Sequence, residues 1–393
     1  MIESNRQTLL HLSLINGVGP GTIINKIIKG LYTQKYPDLL DASFMDAVDI
    51  QHELQLDTIY SFTPSDFMTI CGLTERLASL IVSELKEKKA LDLECSLIEK
   101  HTIRLLTIFD RTYPEILKQI ATPPVVLYCK GATFEGTAKR MAIVGSRNAD
   151  QYAQDVINNI IPDLVTNGWE IVSGGAEGVD AMAHQAAHQA GGKTLIVLGS
   201  GLLKPYPPSN FDLFKEVTAA QGTLISPFPL TQQPDKTTFP ARNRIIAGLS
   251  QGCVVVRAAS RSGALITAQY ALDQGRQIFA VPGSIYDDIS MGCHALIQQG
   301  AKLAQSSQDI LEEFNETLIQ TSFIPAYTEP TTPRHPTQTT ISPILSFLSG
   351  SARTIDELCD KTGLSLNDLN NELFTLQLAG KIQQDFTGKW LRI

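Results

Sequence analysis

The chain has 393 residues, 43% of them apolar, and 40 acidic against 32 basic side chains give a net charge of −8. That length supports two or three domains with their own cores. With no apolar run of membrane-spanning length and no signal-like N-terminus, a soluble, cytoplasmic protein without a membrane partner is expected. The acidic excess argues against a uniformly basic nucleic-acid binder, but it is uneven: residues 136–300 carry no net charge, against −4 over residues 1–135.

The first hundred residues read as helical. "LLHLSLINGVGPGTIINKIIKG" (9–30) has apolar positions at helical spacing on both sides of a Gly-rich turn, and "FMTICGLTERLASLIVSEL" (67–85) is a weaker version. Two readings stand. One is a helix-hairpin-helix or sterile-alpha-motif unit whose turn holds a phosphate beside Lys26 and Lys29; the other is a plain corner between helices.

From about residue 103 the texture changes. "IRLLTIFD" and "PPVVLYCKG" read as strands. "MAIVGS" (141–146), "WEIVSGG" (169–175), "KTLIVLGSG" (193–201), "GTLISPFP" (222–229), "GCVVVRA" (252–258) and "RQIFAVPG" (276–283) follow. Helical stretches at 150–166, 179–190, 209–220, 239–250 and 263–274 separate them. Continuous apolar strands alternating with helices predict an α/β fold with a parallel sheet covered on both faces. A Pro/Thr-rich linker follows. The final stretch has the spacing of a winged helix, read as a protein-docking module more readily than a DNA reader because residues 341–393 carry a net charge of −1. The expected division is 1–100 helical, 101–318 Rossmann-like, 319–340 linker and 341–393 winged-helix-like.

Ligands of open parallel sheets bind beyond the carboxyl ends of the strands. There Gly145, Ser146 and Arg147 offer close backbone approach, a hydroxyl and a guanidinium fork, which suit an anion. Gly174 and Gly175 open the next helix, with Asp180 in its first turn. His184 and His188 lie four apart, but the Glu of a zinc helix is absent, so helix packing is expected and no metal. Lys204 and Tyr206 occupy the next loop. Arg242 and Arg244 flank Asn243 where a helix begins, one expected to brace the fold and the other to face ligand. Ser262 and Gly263 open a further helix. So many anion-receptive strand ends along one sheet edge suit an extended polyanion rather than one nucleotide.

"YPEILKQIATPPVVLYCKG", "AIVGSR", "IVSGGAEGVDAMAH", "GSGLLKPYPPSN", "FPARNRIIAGLS", "SGALITAQYA" and "AVPG" with "GCHALIQQGA" resemble the DprA/Smf (DNA-processing protein A) family, in the family's order. The resemblance implies an extended Rossmann-like domain that binds single-stranded DNA, protects incoming DNA during natural transformation and helps load RecA. It implies an N-terminal helical (SAM/HhH-like) domain and a C-terminal winged helix, with a competence protein as a further candidate partner of the latter. It implies no catalytic residue and no cofactor. By resemblance Gly145, Ser146 and Arg147 form the phosphate turn, the pattern Phe239, Pro240, Arg242, Asn243, Arg244 carries over, and a homodimer forms around Leu296 and Ile297, which read equally well as core residues.

There are departures. Glu177 stands where the family usually has Arg, Pro227 where it has an acid and Arg257 where it has Glu, so an exchanged Glu177–Arg257 pair is one expectation. Lys204 substitutes for a basic residue the family carries nearby. The rival readings are a nucleotide phosphoribohydrolase, whose catalytic Glu is Gln269 here, and a winged-helix transcription factor.

Overall fold

The computed structural model describes residues 2–37, 54–133 and 136–315, and from the C-terminal part residues 344, 347–348, 353–364, 369, 372–373, 376–377, 381–384 and 389–392. The linker expected at 319–340 lies outside the described residues. The chain divides into two compact units, residues 1–321 and 322–393.

The larger unit begins with helices. The first hairpin joins α1 (Ile2–Leu14) to α2 (residues 20–35), in which Ile23–Ile28 is wound as π-helix. The second joins α3 (Pro64–Cys71) to α4 (Glu75–Lys86). Thr63 and Asp66 cap α3 reciprocally, and Gly72 ends it in the left-handed conformation. Helix α5 (Lys89–Lys100) leads into the sheet. These helices share one hydrophobic cluster with a face of the sheet, from Leu9 and Ile27 to Leu195 and Val255. Glu94 of α5 is buried, and its carboxylate accepts the Leu230 N–H at 2.7 Å, tying the helices to a loop beyond the sheet.

Nine strands form one sheet. They are β1 (Arg104–Thr107), β2 (Val126–Gly131), β3 (Arg140–Gly145), β4 (Glu170–Ser173), β5 (Thr194–Val197), β6 (Thr223–Ser226), β7 (Gly252–Val256), β8 (Gln277–Ala280) and β9 (Lys302–Leu303). Their order is β1-β2-β6-β5-β4-β3-β7-β8-β9. From β6 to β9 every neighbour is parallel. Strands β1 and β2 pair antiparallel with each other, and β2 with β6, so the parallel expectation fails at that edge. The reason is local: β1 and β2 are joined by a stretch whose helix is only Glu115–Lys118, too short for a crossover.

Helices α6 (Gln151–Thr166), α7 (Val179–Gln189), α8 (Phe211–Ala219), α9 (Thr238–Gly248), α10 (Gly263–Asp273), α11 (Met291–Gln298) and α12 (Ser307–Glu313) complete the unit. Side chains of β3 alternate between two cores: Ala142 and Val144 enter the one shared with the N-terminal helices, Met141 and Ile143 the one under α6 and α7. That double burial explains why its sequence is apolar throughout. The order reverses at β3, whose chain continues to β4 on one side while β7 lies on the other. A crevice opens at such a reversal.

In the smaller unit, α13 (Ile355–Thr362) starts at a Thr354/Glu357 capping box and ends at Gly363. The hairpin of β10 (Ile382–Gln384) and β11 (Trp390–Arg392) follows, and Ile344, Leu358, Leu373, Ile382 and Trp390 form its core. Among the described residues no helix is long and apolar enough to cross a membrane.

Candidate nucleic-acid interface

At the carboxyl ends of β3 and β7 lies an open groove of about 560 Å³. Its walls include Gly145, Ser146 and Arg147 after β3, Phe239, Arg242 and Asn243 of α9, and Ser262 and Gly263 at the start of α10. Eight of the residues singled out in the sequence are thus brought together, although they come from three distant stretches.

The turn after β3 is shaped by contact with β7. A Cβ on Gly145 would come within 1.9 Å of the Val256 carbonyl oxygen, so no other residue fits without moving a strand. The Ser146 N–H donates to the Arg257 carbonyl at 2.7 Å, fixing the turn. The Ser146 hydroxyl lies 3.1 Å from the Asn148 N–H, which it accepts. Arg147 is left exposed, its guanidinium 5.8 Å from the centre of the Phe239 ring.

Arg242 plays another part. It is 5% exposed, and its Nη1 donates to the carbonyl oxygens of Gly174 and Val197, at the ends of β4 and β5. A Cβ on Gly174 would lie 2.2 Å from that nitrogen, so this glycine makes room for an arginine rather than for a phosphate. Burial pulls the Arg242 pKa down to about 10, and the nearby Asp180 carboxylate works against that shift. Asp180 itself accepts the Gly174 N–H at 3.0 Å and the Ala176 N–H at 3.3 Å, while burial raises its pKa. Arg242 therefore braces the groove floor and lends it positive charge from below.

Four sequence expectations are corrected. Arg244 does not face the groove: its Nη1 donates to the Thr122 carbonyl and its side chain lines a separate cavity on the other side of α9. Residues two apart on a helix point in nearly opposite directions, so Arg242 and Arg244 cannot share a face. Gly175 is buried against Ile196 and Phe214 and does not line the groove. Lys204 is exposed but outside the lining. Glu177 and Arg257 do not pair: Glu177 accepts from Ser209, whereas Arg257 binds Asp150 and, at 2.7 Å, Asp287. The expected dimer residues Leu296 and Ile297 are half-buried against the core.

Sequence reasoning missed two cations. Lys236 and Arg261 are both exposed and line the groove. Arg261 sits one residue before the noted Ser262, and Lys236 three before Phe239; neither lies in an apolar pattern that would betray its direction. His184 is buried with its Nδ1 2.7 Å from the Thr194 hydroxyl, while His188 is exposed, so the two do not form a ligand pair. Burial lowers the His184 pKa to about 3.

A family model described as DNA recombination-mediator protein A matches residues 104–315, and a DprA winged helix domain matches residues 328–385. The chain belongs to the DprA/Smf family. It is similar to the family's DNA processing protein DprA of Bacillus subtilis, 43% identical over 58% of this chain and 75% of that one. It is similar also to Protein Smf of Escherichia coli, 33% identical over 79% and 83%. Among solved structures of the family it resembles DNA processing protein A from Streptococcus pneumoniae, with a TM-score of 0.65 and 34% identity over 78% of this chain and 97% of that one. The family match spans every residue that lines the groove.

Proposed function

We propose that the groove holds single-stranded DNA along its phosphates, and that the protein protects such strands and helps load RecA on them without catalysing a reaction. The observation that carries this reading is the set of cationic side chains along one groove: Arg147, Lys236 and Arg261 exposed at its rim and Arg242 beneath it. That is more positive charge than a single phosphate requires, and the start of α10, with no acid in its first turn, adds the positive end of its dipole. The Phe239 ring, flanked by the Arg147 and Arg242 guanidiniums, offers a face on which a base can stack. Family membership supports the recombination role and the RecA partnership. Homodimerisation is part of the proposal, with Met291 (45% exposed) and Leu303 (39%) offering more free apolar surface than Leu296 and Ile297.

A phosphoribohydrolase would need a free carboxylate in the groove. Asp180, the carboxylate among the groove's lining residues, is buried and occupied by two backbone N–H groups, the Gln269 amide donates to Asp273, and Glu177 lines the adjoining cleft rather than the groove. The test is titration of single- and double-stranded oligonucleotides without nucleotide or metal, for the native chain and Arg147→Ala. Tighter binding of the single strand is expected. Arg147→Ala should weaken it about tenfold whatever the base sequence and flatten the slope of log affinity against log salt by about 0.7. Unchanged single-strand affinity in that variant would refute the phosphate assignment.

A further inference from the structure

A small cleft opens beside the groove. Arg147, Ala176, Phe239 and Arg242 line both spaces, whereas Glu177 and Tyr206 line only the cleft. We infer that this cleft reads the edge of an unpaired base, and that Glu177 makes it selective for bases presenting hydrogen-bond donors, guanine above all. The inference rests on the single-strand reading above and deepens it.

Charge separates the two spaces. The groove's exposed charges are cationic, while Glu177 sets an exposed carboxylate at the cleft. A phosphate is repelled from that carboxylate and drawn to Arg147, Lys236 and Arg261, so a nucleotide lying across the shared wall puts its base on the Glu177 side. That side offers an exposed aromatic ring, Tyr206, packed at a 53° tilt against Phe239. Tyr206 and Phe239 stand with ring centroids 5.9 Å apart, and Tyr206 is 41% exposed. The cleft has a volume of only about 30 Å³, so a base edge enters it and the ring system stacks outside.

The carboxylate is held in place. The Ser209 hydroxyl donates to Glu177 Oε1 at 2.6 Å, and the Asn210 amide, next in the chain, donates to the Gly175 carbonyl at 3.0 Å. The other Glu177 oxygen takes no hydrogen bond among the described residues, and no ion pair joins Glu177 to Arg147 or Arg242. An ionised carboxylate only accepts. Guanine offers it two parallel donors, N1–H and the N2 amino group. Cytosine and adenine each offer one amino group. Thymine offers one imino N–H between two carbonyl oxygens that face the carboxylate unfavourably.

The test measures fluorescence anisotropy of the full-length protein with an oligothymidylate, the same strand with isolated guanines, and the same strand with inosine in their place. The native chain should bind the guanine strand about fivefold or more tightly than oligothymidylate, with inosine, which lacks the N2 amino group, between them. Removing a negative charge raises affinity for every strand alike, so the readout is the ratio between strands. In Glu177→Gln and Glu177→Ala, checked for intact folding by thermal melting, that ratio should fall to within about twofold, since the bidentate contact is gone. Equal affinities in the native chain, or a preference that persists in both variants, would overturn the inference while leaving single-strand binding intact. Failure to bind any strand would overturn the single-strand reading itself, and this inference with it.

Discussion

Helix α9 has a different region on each side. Phe239, Arg242, Asn243 and Ile246 face the groove, whereas Ala241, Arg244 and Ile245 face a cavity of about 200 Å³ shared with Val18, Ile23 and Phe228. Both regions contain an arginine. On the groove side the rim cations Arg147, Lys236 and Arg261 form no ion pair among the described residues; on the other side Arg244 is spent on the Thr122 carbonyl amid apolar walls. Arginine on this helix is therefore not a ligand marker in itself. What separates function from structure is whether its donors already have partners.

The largest effect that would test this contrast is at Arg242. Arg242→Ala should cost about 3 kcal/mol or more, because the Gly174 and Val197 carbonyls lose their donor and buried Asp180 loses its compensating charge. Urea unfolding checks it, and native stability with lost DNA binding would show that Arg242 is a ligand residue only. Next comes the floor beneath. His184 has its pKa depressed to about 3 by burial first and Arg242 second, against about 6.5 in the unfolded chain. Between those values the unfolded chain binds one more proton than the folded one, so this stabilisation is complete above about pH 6.5 and is lost as pH falls. Stability should drop by about 2 kcal/mol from pH 6.5 to pH 5, and His184→Gln should remove that slope. Asp180, whose pKa burial raises, contributes with the opposite sign at lower pH.

A smaller effect belongs to the other face. Arg244→Ala should cost about 1 kcal/mol of stability for its lost hydrogen bond and leave single-strand affinity and its salt dependence unchanged. A flattened salt slope in that variant would erase the distinction between the two faces. Smallest are Lys236→Ala and Arg261→Ala, each expected to weaken binding about threefold, with the salt slope reduced by about 0.7 per residue and melting unaffected.

Much of the site was legible in one dimension because strand ends are local events. Gly145, Arg147 and Ser262 each stand where an apolar run gives way to a helix, and a parallel sheet collects such points at one edge, whereas Arg242 lies within α9 itself. The direction of Arg244 was misread, although helical geometry alone sets it apart from Arg242. The partners of Arg257 were not legible. Asp150 and Asp287 lie 107 and 30 residues away and come near only through the order of the strands. Nor were Lys236 and Arg261, whose loops carry no periodicity.

Apolar periodicity and glycine placement were enough to specify a doubly covered sheet and to pick out its strand ends as a candidate edge, because burial and backbone freedom act on neighbours in the chain. The antiparallel pairing of β1 and β2, the bracing role of Arg242 and the carboxylate beside the Tyr206–Phe239 ring pair were settled by folding. Those features depend on which distant groups meet, and so on which donors are left free for a ligand, something no local pattern encodes.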